Sequence, residues 1–288
     1  MSHAEEAEAD ENNNVCANCG VAEVDDIQLE EQEHRVQNSE ECKIQVKKLH
    51  DKKLFRQPDG SHRGECPICF LPMPLENDKS TFKSCCSKSI CDGCYYADYK
   101  SNGGHRCPFC REPVADEKEY MKRIMKRIKA NDPAALREMG SERYDEGDYD
   151  AAVEYFTKAA ELGDIQAHYQ LAYSYHHEGC GVEKDRDREK AVYHAEKAAI
   201  GGHPGARHYL GCAENENGNI ERSVKHFIIA AKLGYTYSMK SLWNHYSAGN
   251  ITKGDLESTL RTHKAALDEM KSLEREEAEA WWESQRGA

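Results

Sequence analysis

A chain of 288 residues is long enough for two modest domains rather than one large core, and its net charge of −13 argues against general affinity for nucleic acid. The acidic start MSHAEEAEAD is no signal peptide, and no apolar run approaches a membrane span, so a soluble intracellular protein, cytoplasmic or nuclear, is expected. Thiols stay reduced in such a compartment, and the thirteen cysteines therefore read as metal ligands and buried thiols rather than disulfides.

The charge is unevenly placed. The first 41 residues hold thirteen acidic side chains against one basic, Arg35, with few large apolar residues, and segment 1–42 is expected to be mostly disordered. Within it, VCANCG sets Cys16 and Cys19 at ligand spacing, followed by His34 and Cys42. These positions resemble the opening and closing of a MYND finger. The four central cysteines of that finger are absent between them, so the resemblance implies a degenerate remnant; one metal held by Cys16, Cys19, His34 and Cys42 is the alternative. Segment 43–63 begins KIQVKKLHDKKLFR and is a basic linker or helix. This stretch and YMKRIMKRIK at 120–129 could touch nucleic acid locally, but the preferred reading is solvated helix faces.

Eight cysteines then crowd together: Cys66, Cys69, Cys85, Cys86, Cys91, Cys94, Cys107 and Cys110. Six form the C-x2-C pairs ECPIC, ICDGC and RCPFC. One short turn of this spacing presents two thiolates to one ion, two such pairs complete a tetrahedral site, and soft sulfur selects zinc over calcium or magnesium. Some fifty residues bury too little apolar surface to fold unaided, whereas a structural zinc contributes on the order of 10 kcal/mol.

The order of the pairs over residues 64–113 resembles the RING finger, a small α+β module. That resemblance implies two cross-braced zinc ions, one on Cys66, Cys69, Cys91 and Cys94 and the other on Cys85, Cys86, Cys107 and Cys110. Lys88 stands where a CxHxxC pattern would put histidine, so the resemblance requires Cys85 as a ligand, as in all-cysteine RINGs; His105 is a substitute. In this family the module docks a ubiquitin-conjugating enzyme and activates its ubiquitin thioester without a covalent intermediate of its own. Ile68 and Pro108 match the family's apolar contact positions, and Arg111 matches an arginine that bridges the conjugating enzyme and ubiquitin. Asp98 departs from the pattern, standing near the usual tryptophan with Tyr96 and Tyr99 beside it.

Residues 114–132 read as an amphipathic basic connecting helix, in which Met121, Ile124, Met125 and Ile128 predict one buried stripe. From there the chain repeats itself over 133–272 in about four units. AALREMG, QAHYQLA, GARHYLG and YSMKSLW align at Ala135, Ala167, Ala206 and Ser238, at offsets of 32, 39 and 32. KAAELG, KAAIGG and AAKLG close three units at Gly163, Gly202 and Gly234. Such hairpins bury their apolar faces only by stacking on neighbours. They resemble Sel-one-like repeats, relatives of the tetratricopeptide repeat, which implies a protein-binding surface for a target or adaptor. Tyr169, His176 and His208 either line that surface or pack between units. Cys180 and Cys212 read as plain thiols, and 273–288 as a charged C-terminal capping helix or tail containing Trp281 and Trp282.

The expected architecture is multidomain: a zinc-stapled α+β RING module followed by an all-α helical-hairpin solenoid. The expected function is a RING-type ubiquitin-protein ligase with two zinc ions; the alternative is a non-enzymatic zinc-stabilised scaffold. No paired carboxylates, phosphate-cradling glycine loop or Ser/His/Asp arrangement stands out.

Overall fold

A computed structural model describes residues 40–176 and 187–286. The acidic segment with Cys16, Cys19 and His34, the loop with Cys180 and the side chain of Cys42 lie outside the described residues. The chain divides into two compact units after Arg56. In the first, α1 (Glu40–Leu54) is a basic helix whose last turn carries Lys52 and Lys53, complementing the helix dipole. The second holds the cysteine module and the repeats together.

The module is a two-stranded antiparallel sheet and one helix. β1 (Ser80–Lys83) pairs with β2 (Lys88–Cys91) in the register Ser80↔Cys91 and Phe82↔Ser89. α2 (Asp92–Asn102) follows at once and stops at Gly103, whose φ of 70° places it in the left-handed region. The buried apolar cluster is small, comprising Cys66, Met73, Ile90 and Cys91 with Tyr95 packed against it.

α3 (Glu117–Ile128) starts where the Asp116 carboxylate accepts the Glu119 N–H. Ile124 is buried, but Met125 stays 41 % exposed. The buried stripe is thus narrower than its spacing predicts, because α3 packs chiefly on one helix, α4 (Pro133–Asp145), and a single neighbour covers a narrow arc.

Eight helices then form four successive hairpins: α4 with α5 (Tyr149–Glu161), α6 (Ile165–His176) with α7 (Arg188–Ile200), α8 (Pro204–Glu216) with α9 (Ile220–Lys232), and α10 (Thr236–Ser247) with α11 (Lys253–Glu269). Asp132, Asp148, Asp187 and Thr252 cap helix starts by accepting backbone N–H groups. Ala135, Ala167, Ala206 and Ser238, aligned in sequence, are all fully buried where adjacent hairpins stack. Gly163, Gly202 and Gly234 adopt φ of 87°, 86° and 93°, a left-handed turn that costs a side-chain-bearing residue energy. Tyr169 stacks on His203, the His176 ring meets Tyr209 edge-on, and His208 bonds Ser238, so all three sequence candidates pack between units. Cys212 lies half-buried beside His208. Among the described residues no helix is long and apolar enough to cross a membrane.

The final helix is α12 (Leu273–Arg286). It packs along α2 of the cysteine module, with Trp281 stacked on Tyr96 and Trp282 on Tyr95.

The module is also fastened to the repeats by histidine. His62 Nε2 and His203 Nε2 both donate to the Gln166 side-chain oxygen, at 2.9 and 3.0 Å, and the two rings stack 4.2 Å apart. Burial holds the pKa of His62 down to about 4 and pushes that of His203 well below its ordinary value. Both rings are therefore neutral when folded, and the unfolded chain binds more protons below about pH 6.5. Their contribution should be complete above that pH and be lost as pH falls towards 4. Urea midpoints measured from pH 7 to 4.5 should drop accordingly, and His62→Gln should flatten the slope; an unchanged slope would count against this role.

Candidate metal centre

Two loops of the module fold alike. In one, Phe70 N–H donates to the Cys66 carbonyl and Cys66 N–H to that of Leu71; in the other, Arg111 does so to Cys107 and Cys107 to Glu112. The residue after each pair takes a left-handed φ, 58° at Phe70 and 66° at Arg111. The reversal turns both thiols of a pair towards one point. Cys85 and Cys86 lie in the turn between the strands, with Ser87 at φ 51°, while Cys91 ends β2 and Cys94 sits in the first turn of α2.

These elements bring the eight sulfurs into two groups, Cys66, Cys69, Cys91 and Cys94, and Cys85, Cys86, Cys107 and Cys110. Ligand atoms within each group lie within 4.8 Å of one another. Sγ pairs stand 3.8 Å apart for Cys66–Cys94 and Cys69–Cys91, 3.9 Å for Cys86–Cys107 and 3.4 Å for Cys85–Cys110. A zinc–sulfur bond of about 2.3 Å sets the edge of a four-thiolate tetrahedron at about 3.8 Å. A disulfide would need about 2.05 Å, and all eight thiols are free. Each group could hold a metal ion.

The thiol shifts split within each group: hydrogen bonds with Cys91 and Cys94 hold the Cys66 pKa far down, and that of Cys107 is also lowered. Hydrogen bonds with Cys66 and Cys91 drive Cys94 far upward, whereas burial pushes Cys85 up and Cys86 up to about 11. Four thiolates this close repel one another, and a cation at their centre removes that penalty.

His105 is exposed and outside the second group. Lys88, in the place of a family histidine, sets its ammonium 5.6 Å from the centre of the Phe109 ring, a cation–π contact. The adjacent pair Cys85–Cys86 is braced from outside: Arg127 on α3 donates Nε–H to the Ser84 carbonyl at 2.7 Å, bonds the Cys85 carbonyl, and pairs with Asp132 at 3.1 Å. Arg63 similarly ties the Pro74 and Glu76 carbonyls, at 2.8 Å each. C-x2-C spacing carries no signal for either arginine.

Of the proposed contact residues, Ile68 is 36 % exposed, Pro108 half-buried and Arg111 exposed. Phe70 and Phe109, at 70 % and 45 %, join the exposed surface of the two loops; each adjoins a cysteine pair in sequence, yet ligand spacing does not mark it. Asp98 is half-buried and accepts the Asn102 amide. Tyr96 and Tyr99 are engaged with Trp281, at 5.1 and 5.4 Å between ring centres.

The Sel1 repeat family model matches residues 133–164, 165–203 and 206–235. The chain carries Sel1 repeats. They account for the first three hairpins; α10 and α11 form a fourth beyond the matched residues. No RING or MYND family model matches. Among solved structures, the crystal structure of a Sel1 repeat protein from Oxalobacter formigenes is similar, with 23 % identity over 61 % of this chain and 72 % of that one and a TM-score of 0.46. No curated protein matches significantly.

Proposed function

We propose that residues 64–113 form a RING-type module holding two zinc ions and recruiting a ubiquitin-conjugating enzyme, while the Sel1 repeats hold a protein target or adaptor. The observation that supports this reading is the cross-bracing: one sulfur group takes the first and third cysteine pairs along the chain and the other the second and fourth. In this reading Ile68 and Pro108 contact the conjugating enzyme, with Phe70 and Phe109 extending that surface, and Arg111 bridges enzyme and ubiquitin through its planar fork of donors. The module orients the thioester; none of its cysteines is a nucleophile.

Asp98 favours a second reading, a zinc-stabilised scaffold that binds proteins without promoting transfer. A carboxylate near the position where the family carries a tryptophan is costly to desolvate.

An autoubiquitination assay across a panel of conjugating enzymes separates the two. The ligase reading expects transfer with at least one member, and Ile68→Ala and Arg111→Ala should each lower it at least about tenfold with zinc content unchanged. Absence of transfer with every member, at about two zinc ions per chain, would leave the scaffold.

A further inference from the structure

α12 meets the first cysteine group directly. The Arg275 guanidinium donates from Nη2 to Cys69 Sγ at 3.6 Å, across 206 positions of sequence. Its Nη1 donates to the Pro72 carbonyl at 2.8 Å, and Nη2 lies 3.5 Å from that of Leu71, so the same group closes the loop that presents Cys66 and Cys69. A further bond, from Nη1 to the Met270 carbonyl just past the end of α11, sets its orientation.

The approach is tight by construction. A Cβ on Gly93, between Cys91 and Cys94, would lie 2.8 Å from both Cγ and the backbone N of Arg275. Arg275, the fully buried Ala278 and Trp282 form one face of α12, at i, i+3 and i+7. Lys79–Glu279 and Lys100–Glu277, at 2.8 and 2.7 Å, flank that face but are half-exposed and add little. Arg275 is the only cation among these contacts that reaches a sulfur ligand.

We infer that Arg275 is a positioning residue of the first metal site, and that docking of α12 and metal loading of Cys66, Cys69, Cys91 and Cys94 reinforce each other. Four thiolates around a dication retain negative charge, and a guanidinium on one sulfur offsets part of it. Metal in turn holds the loop carbonyls and Gly93 where α12 binds. Linkage makes the effect reciprocal. The inference rests on the metal-centre reading and is independent of ligase activity.

The test uses the full chain loaded with zinc, and separately with cobalt. Release of zinc to a chelating dye should show two phases. Arg275→Met should speed one of them on the order of 10–100-fold and leave the other unchanged. In the cobalt form it should shift the thiolate-to-metal absorption of one site only. Arg275→Lys, which keeps a charge without the fork, should restore part of the slow release. Gly93→Ala improves helix propensity in α2, yet should speed the same phase and shift Trp281 and Trp282 emission as α12 lifts away. Should Arg275→Met fail to fold, Arg275→Lys and Gly93→Ala carry the test. Unchanged release and an unchanged cobalt spectrum in these variants, with about two ions bound per chain, would overturn the inference alone. A wild-type chain purified with no metal, and taking up none, would overturn the metal-centre reading with it.

Discussion

Stripping the metal with a strong chelator should unfold residues 64–113 and leave the repeats helical. The module's buried cluster amounts to Cys66, Met73, Ile90 and Cys91, and two of those four belong to the candidate metal groups. So small a core cannot offset the conformational entropy of fifty residues, at about 1–2 kcal/mol each for the backbone. Each structural zinc contributes about 10–16 kcal/mol of apparent binding free energy, which in such a module is folding free energy. The hairpins draw on separate clusters, one around Phe156 and another around Phe227, with no sulfur ligand in either. The far-UV helical signal should therefore fall only modestly, while limited proteolysis opens cuts between residues 64 and 113. Trp281 and Trp282 emission should shift to the red, because α2 beneath them is lost. Cys66→Ser should reproduce this at the first site. Identical proteolysis and melting with and without chelator would show that the module folds without metal.

Phe156→Ala should cost the repeats about 3–5 kcal/mol, measured as a lowered urea midpoint at constant metal content. Phe156 is 1 % exposed and packs among Leu136, Ala152, Ala159 and Leu171. Its ring sits against Gly140, where an added Cβ would lie only 2.6 Å away, so truncation leaves a void that α4 cannot fill. Gly140→Ala approaches the contact from the other side and should cost about 1–3 kcal/mol by overpacking. Phe227 and Gly211 repeat the arrangement in the third hairpin, with the same approach of 2.6 Å. Neighbouring hairpins share their interfaces, so the loss should spread along the array instead of melting one unit. A cost below about 1 kcal/mol for Phe156→Ala would mean that the hairpins do not depend on this interlock.

Much of this organisation is legible in one dimension because it is local or periodic. C-x2-C spacing is a property of one turn, so the three pairs announce themselves; the adjacent Cys85 and Cys86 were harder to place, and the tight turn ending at Ser87 is what brings both sulfurs to one group. Helical periodicity places Ala152, Phe156 and Ala159 in the core before any coordinates exist, as do the aligned small residues and the closing glycines. Where periodicity failed, the cause was the number of neighbours: Met125 obeys the pattern, yet it is only partly covered.

The sequence by itself determined that eight cysteines form two potential metal groups and that stacked helical hairpins follow, because ligand spacing and helical period are short-range properties. Only the tertiary structure decided what joins these parts. Arg127 on the Cys85 loop, His62 between Gln166 and His203, and the C-terminal helix on α2 are contacts between distant stretches of chain. No spacing encodes them, since a guanidinium or an indole finds its partner through the packing of whole elements. The eight-cysteine run thus became more than a staple for fifty residues: Arg275, near the far end of the chain, closes the loop around its first site.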